Sequence, residues 1–307
     1  MRKLFIIGNG FDRAHRLPTS YQDFHQFLQK EYPGAVEESA VVPSCSMGHD
    51  GEEIYDEDEV VGYLMNLISR TEGPCWSDLE RSLGQLDFDD DFSYLPEVLD
   101  HDGDRNLFHE AYNNEEQAAT LAGCVPMISG FFADWINTLE ISSAKVDPRF
   151  CSLIAPTTDY FLTFNYTRTL ESLYGVKNVC HIHGVQGDPL IFGHGAGHLF
   201  DEDHWSYYIG SEDSLEEIQS ALRKDTAKAM DTHRAFFQNL RAKVTDIYSY
   251  GFSFGEVDLV YLKEIFRNVD TKSVAWHLHN HDSKKHDAQK KTLIGCGFSG
   301  VFDVFDT

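Results

Sequence analysis

Leu4-Phe5-Ile6-Ile7 is an apolar run with no polar position in it, ended by Gly8-Asn9-Gly10. A run without alternation reads as a strand buried on both faces that feeds a tight turn. Ser20 is placed to cap a helix over 21–32, with Tyr21, Phe24, Phe27 and Leu28 on one face. Residues 34–58 are acidic and turn-rich and show no clear period. Helices are predicted over 59–70, 78–86 and 115–139, the last interrupted at Pro126. Strand signals resume at 160–164, 179–183 and 190–192. Two helical stretches follow over 213–243, then a strand at 246–250 and a helix at 257–267. Strands at 273–279 and 301–305, with a polar helix at 284–293 between them, complete the pattern. Strands alternating with helices predict an α/β chain whose parallel sheet is covered on both faces. Segments 1–33 and 151–307 supply this single core, and 34–150 reads as an inserted helical, acidic region over the sheet's ligand edge.

Charge narrows the partners. Against 25 Lys and Arg stand 50 Asp and Glu, a formal charge of −25 over 307 residues. That balance argues against nucleic acid as the main partner and against an anionic membrane surface. The acids are concentrated: residues 36–60 hold nine and 87–104 hold eight, neither with a Lys or Arg, and the rest of the chain carries −8. Both read as solvated surface segments, with cation or partner binding as the alternative. The 42% hydrophobic content excludes wholesale disorder. Cys45, Cys75, Cys124, Cys151, Cys180 and Cys296 form no CxxC pair and read as reduced thiols of a cytoplasmic protein. The first apolar run is too short for a signal peptide, and no stretch approaches the ~20 apolar residues of a membrane span. The oligomeric state, a homo-oligomer included, is left open.

Four junctions carry candidate chemistry. In Gly8-Asn9-Gly10-Phe11-Asp12-Arg13 the glycines let the backbone approach a phosphate or ribose, and Asp12 is a ligand contact or a helix cap. Arg13 stands at the third glycine position of a dinucleotide fingerprint, and no strand-end acid follows about 20 residues on, which argues against an NAD dehydrogenase. Asn165, after the strand ending at Thr163-Phe164, is placed to orient a ribose hydroxyl or a water, or else to cap the helix at 168–174. His181-Ile182-His183-Gly184 offers a general base, and an HxH pair on a strand would also suit a metal. His194 and His198 follow, but no carboxylate stands at a telling spacing, so no metal is expected. His277, His279 and His281 read as a half-exposed strand edge. In Tyr250-Gly251-Phe252-Ser253-Phe254-Gly255-Glu256-Val257-Asp258, Gly251 and Ser253 can approach a phosphate, and Asp258 can cap a helix or hold a hydroxyl. Each junction is weak alone. A parallel sheet would bring all four to one edge.

The order GNGFD (8–12), LPTSYQDF (17–24), WSDLE (76–80), FNYTRTLESLYG (164–175), HIHG (181–184), IFGHG (191–195) and YGFSFGEVD (250–258) resembles the AbiH-type bacteriophage abortive-infection family. The motifs run from Leu4 to about Arg267. The resemblance implies antiviral defence and a phage-derived trigger. A more distant similarity is to the sirtuin-type NAD-binding fold, which implies a Rossmann-like sheet. Gly8-Asn9-Gly10 and Leu17-Pro18 fall where sirtuins have Gly-Ala-Gly and Ile-Pro. Asn165 falls on the Asn of the sirtuin Asn-x-Asp motif, His183-Gly184 on the catalytic His-Gly, and Gly251 and Ser253 on the later Gly-x-Ser. Thr167 stands where the sirtuin Asp would be, and no four-cysteine zinc module is present, which argues against a protein deacylase. What the resemblance implies is NAD as substrate or ligand, with Asn165 and His183 hydrolysing its N-ribosyl bond without a metal. The nucleotide contacts would come from Gly8, Asn9, Gly10, Phe11, Asp12, Thr163, Tyr166, Gly193, Gly251, Ser253 and Asp258. The alternative is a nucleotide-sensing or partner-regulated binding module without catalysis, which Thr167 favours. Metal-dependent hydrolysis by the histidine-rich segments is a third reading.

Overall fold

The computed structural model describes residues 2–37, 41–73, 75–93, 95–195, 208–241 and 244–307. The order begins β1 (Arg2–Ile7), α1 (Asn9–Ala14), α2 (Tyr21–Glu31), β2 (Cys45–Met47), β3 (Glu53–Tyr55), α3 (Glu57–Glu72) and α4 (Leu79–Leu83). It continues α5 (Asp89–Ser93), α6 (Leu107–Cys124), α7 (Ile128–Thr138), α8 (Pro148–Leu153), β4 (Tyr160–Thr163), α9 (Thr169–Tyr174) and β5 (Val179–His181). Then come α10 (Glu212–Ala221), α11 (Thr226–Thr232), α12 (Arg234–Asn239), β6 (Val244–Tyr250), α13 (Leu259–Asn268), β7 (Ala275–His279), α14 (His286–Gly295) and β8 (Val301–Phe305).

Six strands form one parallel sheet in the order β5-β4-β1-β6-β7-β8, flanked by helices. The fold is α/β and Rossmann-like: the chain builds outward from β1 through β4 to β5, then returns to the other side of β1 for β6, β7 and β8. The apolar run in β1 has the expected cause. Leu4 and Ile6 pack on one face with Leu162, Ile247, Trp276, Tyr261, Leu262 and Phe237. Phe5 and Ile7 pack on the other with Phe11, Phe150, Phe161, Leu170 and Tyr248. Alternate side chains of one strand thus enter two cores, and neither face is left for a polar residue.

A row of stacked rings crosses the second face. Phe161, Phe5, Tyr248 and His277 are register partners on four neighbouring strands. Their successive centroids lie 5.0, 5.0 and 4.2 Å apart. His279 stacks on Tyr250 in the same way, at 4.1 Å. This corrects the strand-edge reading of His277 and His279: β7 lies between β6 and β8, and both rings are packed in the sheet.

The chain divides into two compact units. One comprises Met1–Ser20, Ile136–Ile191 and Asp225–Thr307 and holds the whole sheet; the other comprises Tyr21–Trp135 and Phe192–Lys224. In the second unit Phe24 of α2 lies 6.0 Å from Trp76, 5.4 Å from Phe132 and 5.3 Å from Trp135. Trp76 also stacks on His25 at 4.5 Å, so the aromatic of the WSDLE segment is a core residue. Leu107–Thr138, joined through a 3-10 turn at Val125–Met127, is long and apolar enough to cross a bilayer by length and composition. That corrects the reading that no stretch comes near a span. Its Ala118, Leu121, Cys124, Val125, Ile128 and Phe132 are buried in the protein. Most described acids of 36–60 and 87–104 are exposed. Asp91 is the buried exception, 3.2 Å from Arg70, with burial pushing its pKa up and Arg70 opposing.

Two local expectations are corrected. Residues 190–192 form no strand; they are tied as a loop by Ile191 N to the His183 carbonyl (2.7 Å) and by the Tyr166 hydroxyl to the Ile191 carbonyl (3.0 Å). Three helices, not two, occupy 212–239. The β2–β3 hairpin has no buried face, so it left no apolar alternation to read. Because Phe5 joins the ring row to Phe150, Phe5→Ala is expected to cost about 3–5 kcal/mol of stability, read by urea denaturation.

Candidate functional site

The four strand ends picked out by the sequence are neighbours in the sheet. Register places His181, Thr163, Ile7 and Tyr250 in one transverse row. The ladder continues one bond past it: Ile182 N donates to Thr163 O (3.1 Å), Phe164 N to Ile7 O (2.9 Å) and Gly8 N to Tyr250 O (3.0 Å). All four loops therefore leave the sheet together at its carboxyl edge. The strand order reverses between β1 and β6, the place where open α/β sheets hold ligands.

At that reversal the two glycine turns meet each other. Gly10 N donates to Gly251 O at 3.0 Å, and Gly251 sits at φ +64. A Cβ on Gly251 would lie 2.3 Å from Phe11 N, and one on Gly8 would lie 2.5 Å from Gly251 O. The close approach anticipated toward a phosphate is thus made between two protein loops. The amides of Gly8, Gly10 and Phe11 already have carbonyl partners. Asn9 is likewise engaged: its Nδ2 donates to Thr19 O (2.7 Å), and its Oδ1 accepts from Thr19 Oγ1 (2.6 Å). Phe11 is a core ring against Phe150 and Tyr250. Ser253 is exposed.

Beside this contact lies a polar cluster. Asp12 is 1% exposed, and its Oδ2 accepts from the Thr167 hydroxyl at 2.5 Å. Thr167 Oγ1 lies 2.8 Å from Thr169 Oγ1, and Thr163 Oγ1 accepts from Asn165 N at 3.1 Å. Asp12 Oδ1 and Asn165 Oδ1 are both buried without a hydrogen-bond partner. Burial pushes the Asp12 pKa up, with Thr167, Thr169 and Asn165 opposing. Asp12 is no helix cap, because α1 is capped at Gly8. The Asp12 carboxyl sits directly against the Thr167 hydroxyl.

His183 is 2% exposed, boxed by Phe164 (5.3 Å), Tyr166 (6.3 Å) and Tyr261 (5.6 Å), with its Nε2 3.3 Å from Asp258 Oδ1. His181 takes a different partner, with its Nε2 2.8 Å from Glu171 Oε1 and its Nδ1 3.3 Å from Asn165 O. The reading of two imidazoles sharing one strand face is corrected: β5 ends at His181, and His183 lies in the turn beyond it. Among the described residues no group of three or more His, Cys, Asp or Glu could hold a metal ion. The four loops are linked in sequence: Gly8 and Gly10 to Gly251, Asp12 to Thr167, Phe164 and Tyr166 to His183, and His183 to Asp258. These loops carry an amide side chain at Asn165, a buried carboxyl at Asp12 and an imidazole beside a carboxylate at His183 and Asp258, all at one edge of the sheet.

The family model for bacteriophage abortive infection AbiH matches residues 4–280, which takes in all four loops. The chain belongs to the AbiH family. Membership implies an antiphage abortive-infection role. No curated protein and no solved structure matches this AbiH chain.

Gly193 lies in the other compact unit. Its φ is +141, and a Cβ there would stand 2.1 Å from Leu222 O. His194 N donates to Leu222 O, and Lys224 N to His194 O, both at 2.9 Å, so the glycine admits a backbone pairing within that unit. His194 Nε2 lies 3.1 Å from Gln219 O, and His198 lies outside the described residues. The sequence reading of this AbiH chain missed Tyr261, Glu171 and Thr169. Thr169 and Glu171 lie within the FNYTRTLESLYG segment, on α9, and Tyr261 on α13 just past YGFSFGEVD, where no local pattern assigns them a role.

Two outcomes follow for the AbiH site. Gly251→Ala is expected to cost at least about 2 kcal/mol, measured by denaturant unfolding, because both φ and the Phe11 contact forbid a Cβ. A carboxyl held above its ordinary 3.8 binds its proton more tightly in the folded chain than in the unfolded one. Its stabilising contribution is full below pH 3.8 and is lost as pH rises through the folded value. Asp12→Asn removes that loss and keeps the acceptor for Thr167. Unfolding at pH 7 should show the variant at least as stable as wild type, with a gain on the order of 1 kcal/mol, and a flatter pH profile above pH 4.

Proposed function

We propose that this AbiH protein acts in abortive infection by hydrolysing the N-ribosyl bond of NAD or a related nucleotide. The observation that supports this most is that the loops carrying Asp12, Asn165 and His183 leave the sheet at the same carboxyl edge, where the strand order reverses. The distant sirtuin similarity supports the choice of nucleotide.

In this reading Asn165 orients the attacking water or a ribose hydroxyl, and His183 accepts the water's proton. The water oxygen bonds to C1′ as the C1′–N bond breaks through an oxocarbenium-like state, and the bonding pair returns to the nicotinamide nitrogen. ADP-ribose and neutral nicotinamide leave, and the proton is on His183. The enclosure of His183 keeps bulk water from the reacting centre, so the loops part to admit the nucleotide. Loss of NAD then halts an infected cell when a phage-derived trigger appears.

The binding-module reading keeps one observation in its favour: the amides of Gly8, Gly10 and Phe11 are already bonded to protein carbonyls. The two readings differ in turnover. Purified protein, with and without a phage-derived trigger, should consume NAD. His183→Ala should lower the rate by about 10²–10⁴ in a protein that its melting curve shows to be still folded, and Asn165→Ala should lower both rate and binding. A wild type that consumes no nucleotide, with His183→Ala still abolishing defence, would make His183 a binding residue.

A further inference from the structure

The first turns of α6 expose side chains that a surface helix ordinarily turns inward. Phe108 is 92% exposed, and Leu107 and Tyr112 are each more than half exposed. Phe108 and Tyr112 are four residues apart, so they stand one above the other on one face. The core-facing stripe of the same helix is filled by others: Ala118, Leu121 and Cys124 are fully buried. Ile209, also more than half exposed, is held beside the start of α6. Asn114 Nδ2 donates to Ile209 O (3.1 Å), and a Cβ on Gly210, which has φ +100, would stand 2.4 Å from Ala111 O. On the other side of Ile209, Tyr208 stacks on Phe92 at 4.7 Å, and its hydroxyl donates to Asp89 O at 3.3 Å. All these residues belong to one compact unit. The apolar side chains are thus held out on ordered backbone, and a partner has little left to order. Apolar side chains grouped in this way mark an interaction surface, where single ones would not.

Charge decides what covers them. Residues 95–116 hold seven acids against one base, Arg105. Arg105 is engaged already: its Nε and Nη2 donate to the Glu110 carboxylate (3.0 and 2.7 Å), and Glu97 Oε1 lies 3.3 Å from Nε. Glu212 and Asp213 follow the Ile209 loop. A second copy would set the same acids against these, and an anionic membrane surface or a nucleic acid would be repelled likewise. Cations fit on both counts, because Lys and Arg reach the rim acids and also lie favourably over exposed aromatic rings. We propose that Leu107, Phe108, Tyr112 and Ile209 form a docking surface for a cationic amphipathic segment of another protein. Its apolar side chains cover these four, and its Lys and Arg meet the surrounding acids. The surface does not depend on the hydrolysis proposed above.

The probe is a labelled synthetic peptide of Lys and Leu at amphipathic helical spacing, with a Glu and Leu peptide of the same pattern as its counterpart. Binding to the full chain is read by fluorescence anisotropy. Wild type should bind the Lys/Leu peptide and not the Glu/Leu one, and more weakly as salt is raised. Phe108→Ser combined with Tyr112→Ser keeps every charge and should weaken binding by about tenfold or more. Both positions are exposed, so the melting curve should not move. Asp102→Asn with Asp104→Asn should also weaken binding, and more than Asp50→Asn with Glu52→Gln, which removes the same charge from the β2–β3 turn. Unchanged binding by the serine variant overturns the proposal, because charge alone then accounts for it. Failure of wild type to bind the Lys/Leu peptide overturns it as well. A wild-type dimer that the serine variant converts to a monomer gives the patch to a second copy and overturns the proposal. So does binding of wild type, lost in that variant, to phosphatidylcholine vesicles.

Discussion

The turns after β1 and β6 are packed backbone to backbone. Gly251 lies in the left-handed region with its carbonyl bonded to Gly10, and neither it nor Gly8 has room for a Cβ. β1 is a central strand and β6 its partner across the point where strand order reverses, so this contact sets how closely the two halves of the sheet meet. The positions of the other strand ends follow from it through the ladder, which runs from Tyr250 to Ile7 to Thr163 to His181. A methyl group at Gly251 would have to displace the Gly10–Phe11 backbone, which lies 2.3 to 2.5 Å from where it would stand.

Everything polar at this edge is arranged around that closure, and it departs from what folding alone would select. A core built only for stability would not keep Asp12 and Asn165 with orphaned oxygens, nor use Asp258 on an imidazole in place of a helix cap. Buried titratable groups with perturbed protonation gather at functional sites because burial and a charged neighbour are the means of tuning them. The Asp12 carboxyl is held against Thr167, on the loop that carries Asn165.

Much of the architecture was legible in the sequence. The unbroken apolar run in β1 could only be a strand covered on both faces, and the alternation of strands with helices required a parallel sheet. Four loops with Gly, Asn, His and Asp after strands pointed to one edge, and the motif order pointed to the family. Less was legible where local pattern and tertiary role part company. Ile191 and Phe192 are apolar enough for a strand, yet bonds to His183 and Tyr166 hold Ile191 in a loop. His277 and His279 alternate as an edge strand would, yet β8 covers them and the tyrosines of β6 stack on them.

The sequence by itself determined the parallel α/β sheet, the buried central strand and the set of loops that share an edge, because strand periodicity and turn chemistry are written in neighbouring residues. It did not determine partners. Gly8 and Gly10 lie against Gly251, and Gly193 lies against Leu222, contacts that no local pattern shows. His181 and His183 look equivalent two residues apart, but one faces Glu171 and the other Asp258. Which group a side chain meets depends on residues about ten to 240 positions away, and only the folded chain brings those together.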